Sequence, residues 1–210
     1  MRVNAETKAA TRQRILDAGR RLFSANGFDA STTRDLADAA GIASGTLFNY
    51  FPSKEAVLAC LAAEAAAAAR REFEARSREE ETFEEELFAF VAEGLRKLKP
   101  WRKHLTVLLE TALCPLAAAS ADDAESLRIP HLETVAELAR KHGLGELSAV
   151  ALQLYWTLYT GVLMFWAGDR SPRQEDTLAL LDHSLAMFVG WLEREAEPQT
   201  KGEVEPCPRP

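Results

Sequence analysis

Residues 32–55 read Thr32-Thr33-Arg34-Asp35-Leu36-Ala37-Asp38-Ala39-Ala40-Gly41-Ile42-Ala43-Ser44-Gly45-Thr46-Leu47-Phe48-Asn49-Tyr50-Phe51-Pro52-Ser53-Lys54-Glu55. Thr32 caps a helix, with Asp35 three residues on as the acid of a capping box. Gly41 ends that helix. A second short helix is expected over about residues 44–50. Pro52 stops it and Ser53 caps the next. Two short helices joined by a glycine turn are the layout of a helix-turn-helix, which lays its second helix in the major groove of DNA. Leu36, Ala37, Ala40, Ile42, Leu47 and Phe51 have the spacing of the small core that holds such helices crossed. Thr33, Arg34, Ser44, Gly45, Thr46, Phe48, Asn49 and Tyr50 are then left to face outward.

The outward set has the chemistry of a duplex surface. Hydroxyls and backbone amides near helix starts suit phosphates. The bidentate geometry of base edges pairs arginine with guanine and asparagine with adenine, which makes Arg34 and Asn49 candidate readers. Two readings stand for Phe48: contact with a thymine methyl, or ordinary packing. Lys54 lies in the first turn of its helix, where a cation opposes the helix dipole and a bound phosphate would reverse that penalty. The alternative is a solvated lysine. Arg2, Lys8 and Arg12 either add backbone contacts or form a solvated face.

Outward from this stretch, the charge supports a contact confined to one end. The 210-residue chain has a formal net charge of -7, which argues against coating nucleic acid with the whole surface. Residues 1–55 nevertheless carry eight Lys or Arg against six Asp or Glu, while the remainder carries 17 against 26. Cys60, Cys114 and Cys207 are odd in number and widely spaced, so neither a disulfide framework nor a zinc site is expected, and a reducing, cytoplasmic compartment fits. The N-terminus has no apolar core of a secretory signal. His104, His131, His142 and His183 are scattered singly, and no nucleophile elbow, phosphate loop or metal-ligand spacing is present. No enzyme, cofactor or metal is expected.

Elsewhere the periodicity is helical and no segment alternates like a strand. Residues 5–26 set Ile15, Leu16, Gly19, Leu22 and Phe23 on one face. The helix capped by Ser53 runs to about residue 78 and is rich in alanine, which reflects either composition or close approach to neighbours. Phe83, Leu87, Phe90, Val91, Gly94 and Leu98 mark the next helix, broken by Pro100. Trp101, Leu105, Leu108 and Ala112 mark another, ended by Cys114-Pro115, and residues 117–126 form a loop or frayed helix. Leu132, Val135, Leu138 and Ala139 precede Gly143 as a further helix.

The uncharged run from Leu147 to Gly168 is 22 residues, long enough to span a bilayer. Gln153, Tyr155, Thr157, Tyr159 and Thr160 within it, and the acidic flanks Glu146 and Asp169, favour a buried helix instead. In the last helix Leu178, Leu181, Leu185, Phe188 and Leu192 step by three and four like the seam of a bundle. Leu180, Met187 and Trp191 add a second apolar face. Two such faces predict a homodimer joined through the last two helices, with the leucine seam as its interface. Phe90, Trp101, Leu105, Leu108, Tyr155, Tyr159, Leu163 and Trp166 are candidates to line a pocket for a small lipophilic or aromatic ligand, or are plain core.

Taken together, Thr32-Thr33-Arg34, Leu36-Ala37, Gly41-Ile42, Gly45-Thr46-Leu47, Tyr50-Phe51 and Ser53-Lys54-Glu55-Ala56 resemble the DNA-binding domain of TetR-type transcriptional regulators. The likeness covers residue 11 to about residue 58. Two positions depart from it: Ala43 stands where a capping hydroxyl is usual, and Phe48 where tyrosine is common. The resemblance implies an all-α protein with a helix-turn-helix domain over residues 1–53 and a helical ligand-binding and dimerisation domain over 54–196; residues 197–210, rich in Pro, Glu, Lys and Gly with little to bury, are expected to be a disordered tail. It implies a ligand-responsive repressor that binds palindromic double-stranded operator DNA as a dimer. It also implies that Arg34 and residues 46–50 contact that DNA. A ligand-independent or architectural DNA-binding protein and a membrane-attached sensor are the alternatives.

Overall fold

The computed structural model describes residues 5–76, 80–109 and 127–196. All regular structure among them is helical, with no strand. The helices are α1 (Ala5–Ala25), α2 (Thr33–Ala40), α3 (Ser44–Leu47), α4 (Lys54–Glu74), α5 (Phe83–Leu98), α6 (Leu105–Leu108), α7 (Arg128–Lys141), α8 (Ala149–Gly168) and α9 (Glu175–Ala196). A 3-10 segment, Lys99–His104, joins α5 to α6 where Pro100 removes a backbone donor. The expected ends of the helix after Trp101, the loop over 117–126 and the tail over 197–210 lie outside the described residues.

The caps explain the breaks. Thr82 opens α5 with a full capping box, its side chain accepting from Glu85 N and the Glu85 carboxylate accepting from Thr82 N. Ser148 Oγ caps α8 by accepting from Ala151 N. Beyond α8, the Asp169 carboxylate accepts from Ser171 N at 2.7 Å and from both the amide and the hydroxyl of Thr177, which hold its pKa well below the usual carboxylate range. Arg102 reaches across from the 3-10 segment to the carbonyl of Trp166 in the last turn of α8 and to that of Asp169 just beyond it. That cation at a helix C-terminus also complements its dipole.

One hydrophobic core runs through both ends of the chain. It begins at Ile15, Phe23, Leu36 and Phe51, passes along α4 through Val57, Leu58 and Leu61, and continues through Leu87, Tyr155, Trp166 and Phe188. The helix from Ser53 is therefore shared between the two halves, packing on α1 at one end and on α5 and α6 further along. Gly19 is needed where α1 crosses it, because a Cβ there would stand 2.8 Å from Val57. Buried Cys60 accepts from the Arg12 guanidinium at 3.0 Å across the same contact.

The final helix differs from its expected role. Leu181, Leu185, Phe188 and Leu192 are buried within the single chain, against α5 and α8, and Leu178 is half-buried. The leucine seam, expected as the surface between copies, is thus part of the core of the single chain. The large apolar residues left outside on these two helices are Val150, Met164, Phe165, Leu180 and Met187. The uncharged run forms α8, whose inner face buries Tyr155, Trp156, Tyr159, Val162, Leu163 and Trp166.

Candidate functional site

The helix-turn-helix is built by local chemistry. Thr32 Oγ1 accepts from Asp35 N at 3.1 Å and the Asp35 carboxylate accepts from Thr32 N at 2.9 Å. The Thr32 hydroxyl, donating to the same carboxylate at 2.7 Å, and the Thr32 amide hold the Asp35 carboxyl below its ordinary pKa. Gly41 ends α2 at φ 66° and ψ 42°, a left-handed conformation that glycine adopts without strain. Its amide and that of Ile42 then return to the carbonyls of Asp38 and Ala37. Ala43 stands at the start of α3 and gives it no side-chain cap. The regular turn of α3 is shorter than expected, four residues, but Asn49 N, Tyr50 N and Phe51 N still bond back to Thr46 and Leu47 carbonyls.

Leu36, Ala37, Ala40, Leu47 and Phe51 are buried, and Ile42 packs half-buried against them. Arg34, Ser44, Gly45, Phe48 and Asn49 are exposed, while Thr33, Thr46 and Tyr50 are half-buried. The Phe48 ring keeps 53% of its surface open, so packing within the chain does not account for it. The side chains of Thr33, Arg34, Ser44, Thr46 and Asn49 make no hydrogen bond among the described residues. A Cβ added at Gly45 would meet nothing within 4 Å, so no internal contact demands glycine there.

Lys54, expected to meet a phosphate, has partners inside the chain. Its ammonium donates to the carbonyls of Phe28 and Ser31 at 3.0 and 3.1 Å and lies 4.3 Å from the centre of the Phe28 ring. These partners come from the loop between α1 and α2. They offset the unfavourable dipole at the first turn from inside the protein, with no anion required. Phe28 in turn packs 5.4 Å from the His104 ring, at the end of the 3-10 segment. The helix-turn-helix is thereby joined to the body at a second place besides α4. Burial holds His104 below the usual histidine pKa.

A second feature lies in the body. A cavity of about 220 Å³ opens among α4, α5, α6, α7 and α8. Such a volume would hold several water molecules and exceeds the small voids of close-packed interiors. Of the residues expected to line it, Phe90, Leu105, Leu108, Tyr159 and Leu163 do so. Trp101, Tyr155 and Trp166 do not: Trp166 and Tyr155 are almost fully buried core, and Trp101 is also buried. Helix α4 adds Ala63, Ala66, Ala67 and Arg70, a stripe at helical spacing whose missing side-chain volume is part of the space. Leu98, Leu127, Pro130 and His131 complete the described lining.

His131 is the least expected member. Its Nε2 lies 2.8 Å from Tyr155 Oη, and its ring sits among Phe90, Tyr155, Trp156 and Tyr159, with Tyr159 stacked at 4.2 Å. Burial among these rings pushes its pKa down to about 3, and the same burial pushes the Tyr159 phenol up. Both groups are therefore neutral near pH 7. A lone histidine on a helix carries no periodic signal of such a setting, so nothing in the sequence pattern marks it.

The profile of the bacterial regulatory proteins of the tetR family matches residues 15–61. The HTH-type transcriptional repressor KstR2 of Rhodococcus jostii is 47% identical over 51 residues, 24% of this chain and 25% of that one. The HTH-type transcriptional regulator UidR of Escherichia coli K12 is 43% identical over 56 residues, 26% of this chain and 29% of that one. The match thus spans between a quarter and a third of the length of these curated relatives. A likeness over the whole chain comes from the crystal structure of Thermus thermophilus FadR, a TetR family transcriptional repressor in complex with lauroyl-CoA. It is 25% identical with a TM-score of 0.62, covering 95% of this chain and 98% of that one. Residues 15–61 thus carry the helix-turn-helix of the tetR family of bacterial regulatory proteins, and the whole helical fold is similar to that of FadR.

Proposed function

We propose that the protein is a sequence-specific, ligand-responsive transcriptional repressor that acts in the cytoplasm, binding a palindromic operator as a homodimer. The observation that carries this reading is the partition of the helix-turn-helix. Its apolar residues close a core, and Arg34, Ser44, Phe48 and Asn49 stand exposed without an internal role. Arg34 and Asn49 would read base edges, Phe48 would meet a thymine methyl, and Thr33, Ser44, Thr46 and Tyr50 would bond phosphates. Gly45 supports close approach, since a helical glycine costs about 1 kcal/mol relative to alanine and nothing inside the chain asks for it. The partner copy would cover Met164, Phe165, Leu180 and Met187.

The effector would be lipophilic, since most of the cavity wall is aliphatic or alanine. An acyl chain suits it better than a flat aromatic plate, because the walls are narrow alanine and leucine stripes and the FadR neighbour holds lauroyl-CoA. Binding would move α4, which carries both the cavity wall and the Lys54 anchor, and so change the spacing of the two heads. The ligand must prefer the spacing that does not fit the operator, because equal affinity for both states shifts nothing. Selection of bound fragments from a random DNA pool tests the reading: enrichment of a two-fold symmetric site supports it. Binding that survives scrambling of both half-sites refutes it.

A further inference from the structure

The cavity has a polar end and an apolar end, and the order of its walls says which is which. Along α4 the lining passes from Ala63 through Ala66 and Ala67 to Arg70, moving away from the helix-turn-helix. Along α8 it passes from Leu163 to Tyr159 in the same sense. Trp166, one turn beyond Leu163, is bonded by Arg102, two residues from His104 at the joint with the head. At the other end, Phe73 packs on Phe90, Phe90 on His131, and His131 on Tyr159. The polar lining groups Arg70, His131 and Tyr159 therefore gather at the end away from the head.

Two of these groups lack a settled partner. Tyr159 is 8% exposed and lines the cavity, yet its hydroxyl makes no hydrogen bond among the described residues. A buried phenol ordinarily finds one. Tyr155, one turn away, does bond His131, so the neighbouring hydroxyl has a partner among the described residues and this one has none. Among the described residues Arg70 meets only the Glu74 carboxylate, at 3.6 Å, beyond hydrogen-bond reach.

Resting on the effector reading above, we propose that the cavity takes an alkyl-chain acyl compound in one orientation. Tyr159 Oη donates to the acyl carbonyl and Arg70 faces the anionic group, while the tail lies along Ala67, Ala66 and Ala63 toward α6. The phenol remains a donor at neutral pH because burial raises its pKa. The neutral His131 ring packs beside the carbonyl without adding a charge to it. The tail end then presses where α4 and α6 meet, next to His104.

Titration of the purified full chain, followed by tryptophan fluorescence from Trp156 beside Tyr159, tests the orientation. The probes are decanoate, decanoyl-CoA and decyltrimethylammonium, equal in chain length and opposite in head chemistry. The two acyl probes should bind at least about tenfold more tightly than the cation. Tyr159→Phe should weaken both acyl probes by about fivefold to tenfold and leave the cation unchanged. Ala66→Leu should weaken all three, with the thermal midpoint of the unliganded variant showing that it folds. The tighter of decanoate and decanoyl-CoA identifies the source of the acyl group, and either order supports the proposal. Equal affinity for anionic and cationic heads, or acyl binding unaffected by Tyr159→Phe, overturns the orientation while leaving an apolar effector site intact. Binding of none of the three overturns the effector reading itself.

Discussion

The ammonium of Lys54 stands 4.3 Å from the centre of the Phe28 ring and donates to the Phe28 carbonyl at 3.0 Å. One side chain thus fastens the start of α4 to the loop after α1, and the same Phe28 ring also meets His104. Lys54→Met keeps the stem and removes the charge. It should lower stability by about 1–3 kcal/mol in urea denaturation, since it strands two carbonyls and a cation–aromatic contact. A lysine serving only to hold phosphate would leave stability unchanged and lower DNA affinity alone, so the two measurements separate the roles.

Gly45→Ala sets the chain against its partner. Open space around the missing Cβ means the substitution should stabilise the free protein by about 0.5–1 kcal/mol. The same methyl group would stand between α3 and the duplex. Fluorescence anisotropy with a selected operator should therefore show weaker binding by a more stable protein. Arg34→Ala should also weaken binding but leave stability within about 0.5 kcal/mol, as an exposed residue without internal bonds. Leu36→Ala should cost about 2–5 kcal/mol through the cavity it leaves.

How far these features were legible follows from how local each one is. The Thr32–Asp35 box, the Gly41 turn and the Ser53 cap each span a few residues, and all three stand as the sequence implies. The leucine stripe of α9 showed that a face is buried but not against what, and α5 and α8 of the same chain cover it. Lys54 reads as a cation facing a helix dipole because its carbonyl partners lie 26 and 23 residues upstream. The cavity is harder still. It exists where Ala63, Ala66 and Ala67 leave space unfilled, and a run of alanine reads equally well as tight packing.

The acid side of the stability profile should be set first by His131. Its folded pKa of about 3 lies below the ordinary histidine value of 6.5, so the folded state refuses a proton that the unfolded chain accepts. Its stabilising contribution is complete above pH 6.5 and is lost as pH falls from there toward 3. The slope approaches about 1.4 kcal/mol per pH unit where only the unfolded state is protonated. Buried His104, also shifted down, acts in the same sense. Glu86 joins at lower pH. Although burial alone would raise its pKa, bonds from Lys141 and His142 hold it below 4.5, so its contribution is lost only beneath that value. Urea denaturation between pH 7 and 5 should show a shallower slope for His131→Gln than for the parent protein. Equal slopes would mean that His131 takes up protons in the folded state as readily as in the unfolded one.

Helices α8 and α9 give the last test, because their inner and outer apolar residues should respond in opposite ways. Met187 is 69% exposed and Phe165 45% exposed, whereas Leu185 is 3% exposed. Met187→Glu combined with Phe165→Glu should convert a dimer to monomer in sedimentation velocity, because a charge buried unpaired between copies is strongly unfavourable. The monomer should keep its helical circular dichroism and lose affinity for a two-site operator far more than for a single half-site. Leu185→Ala should do the reverse, lowering stability by about 2–5 kcal/mol while the folded fraction remains dimeric. If Leu185→Ala dissociated the dimer and the double glutamate variant did not, the leucine seam would be the surface between copies after all.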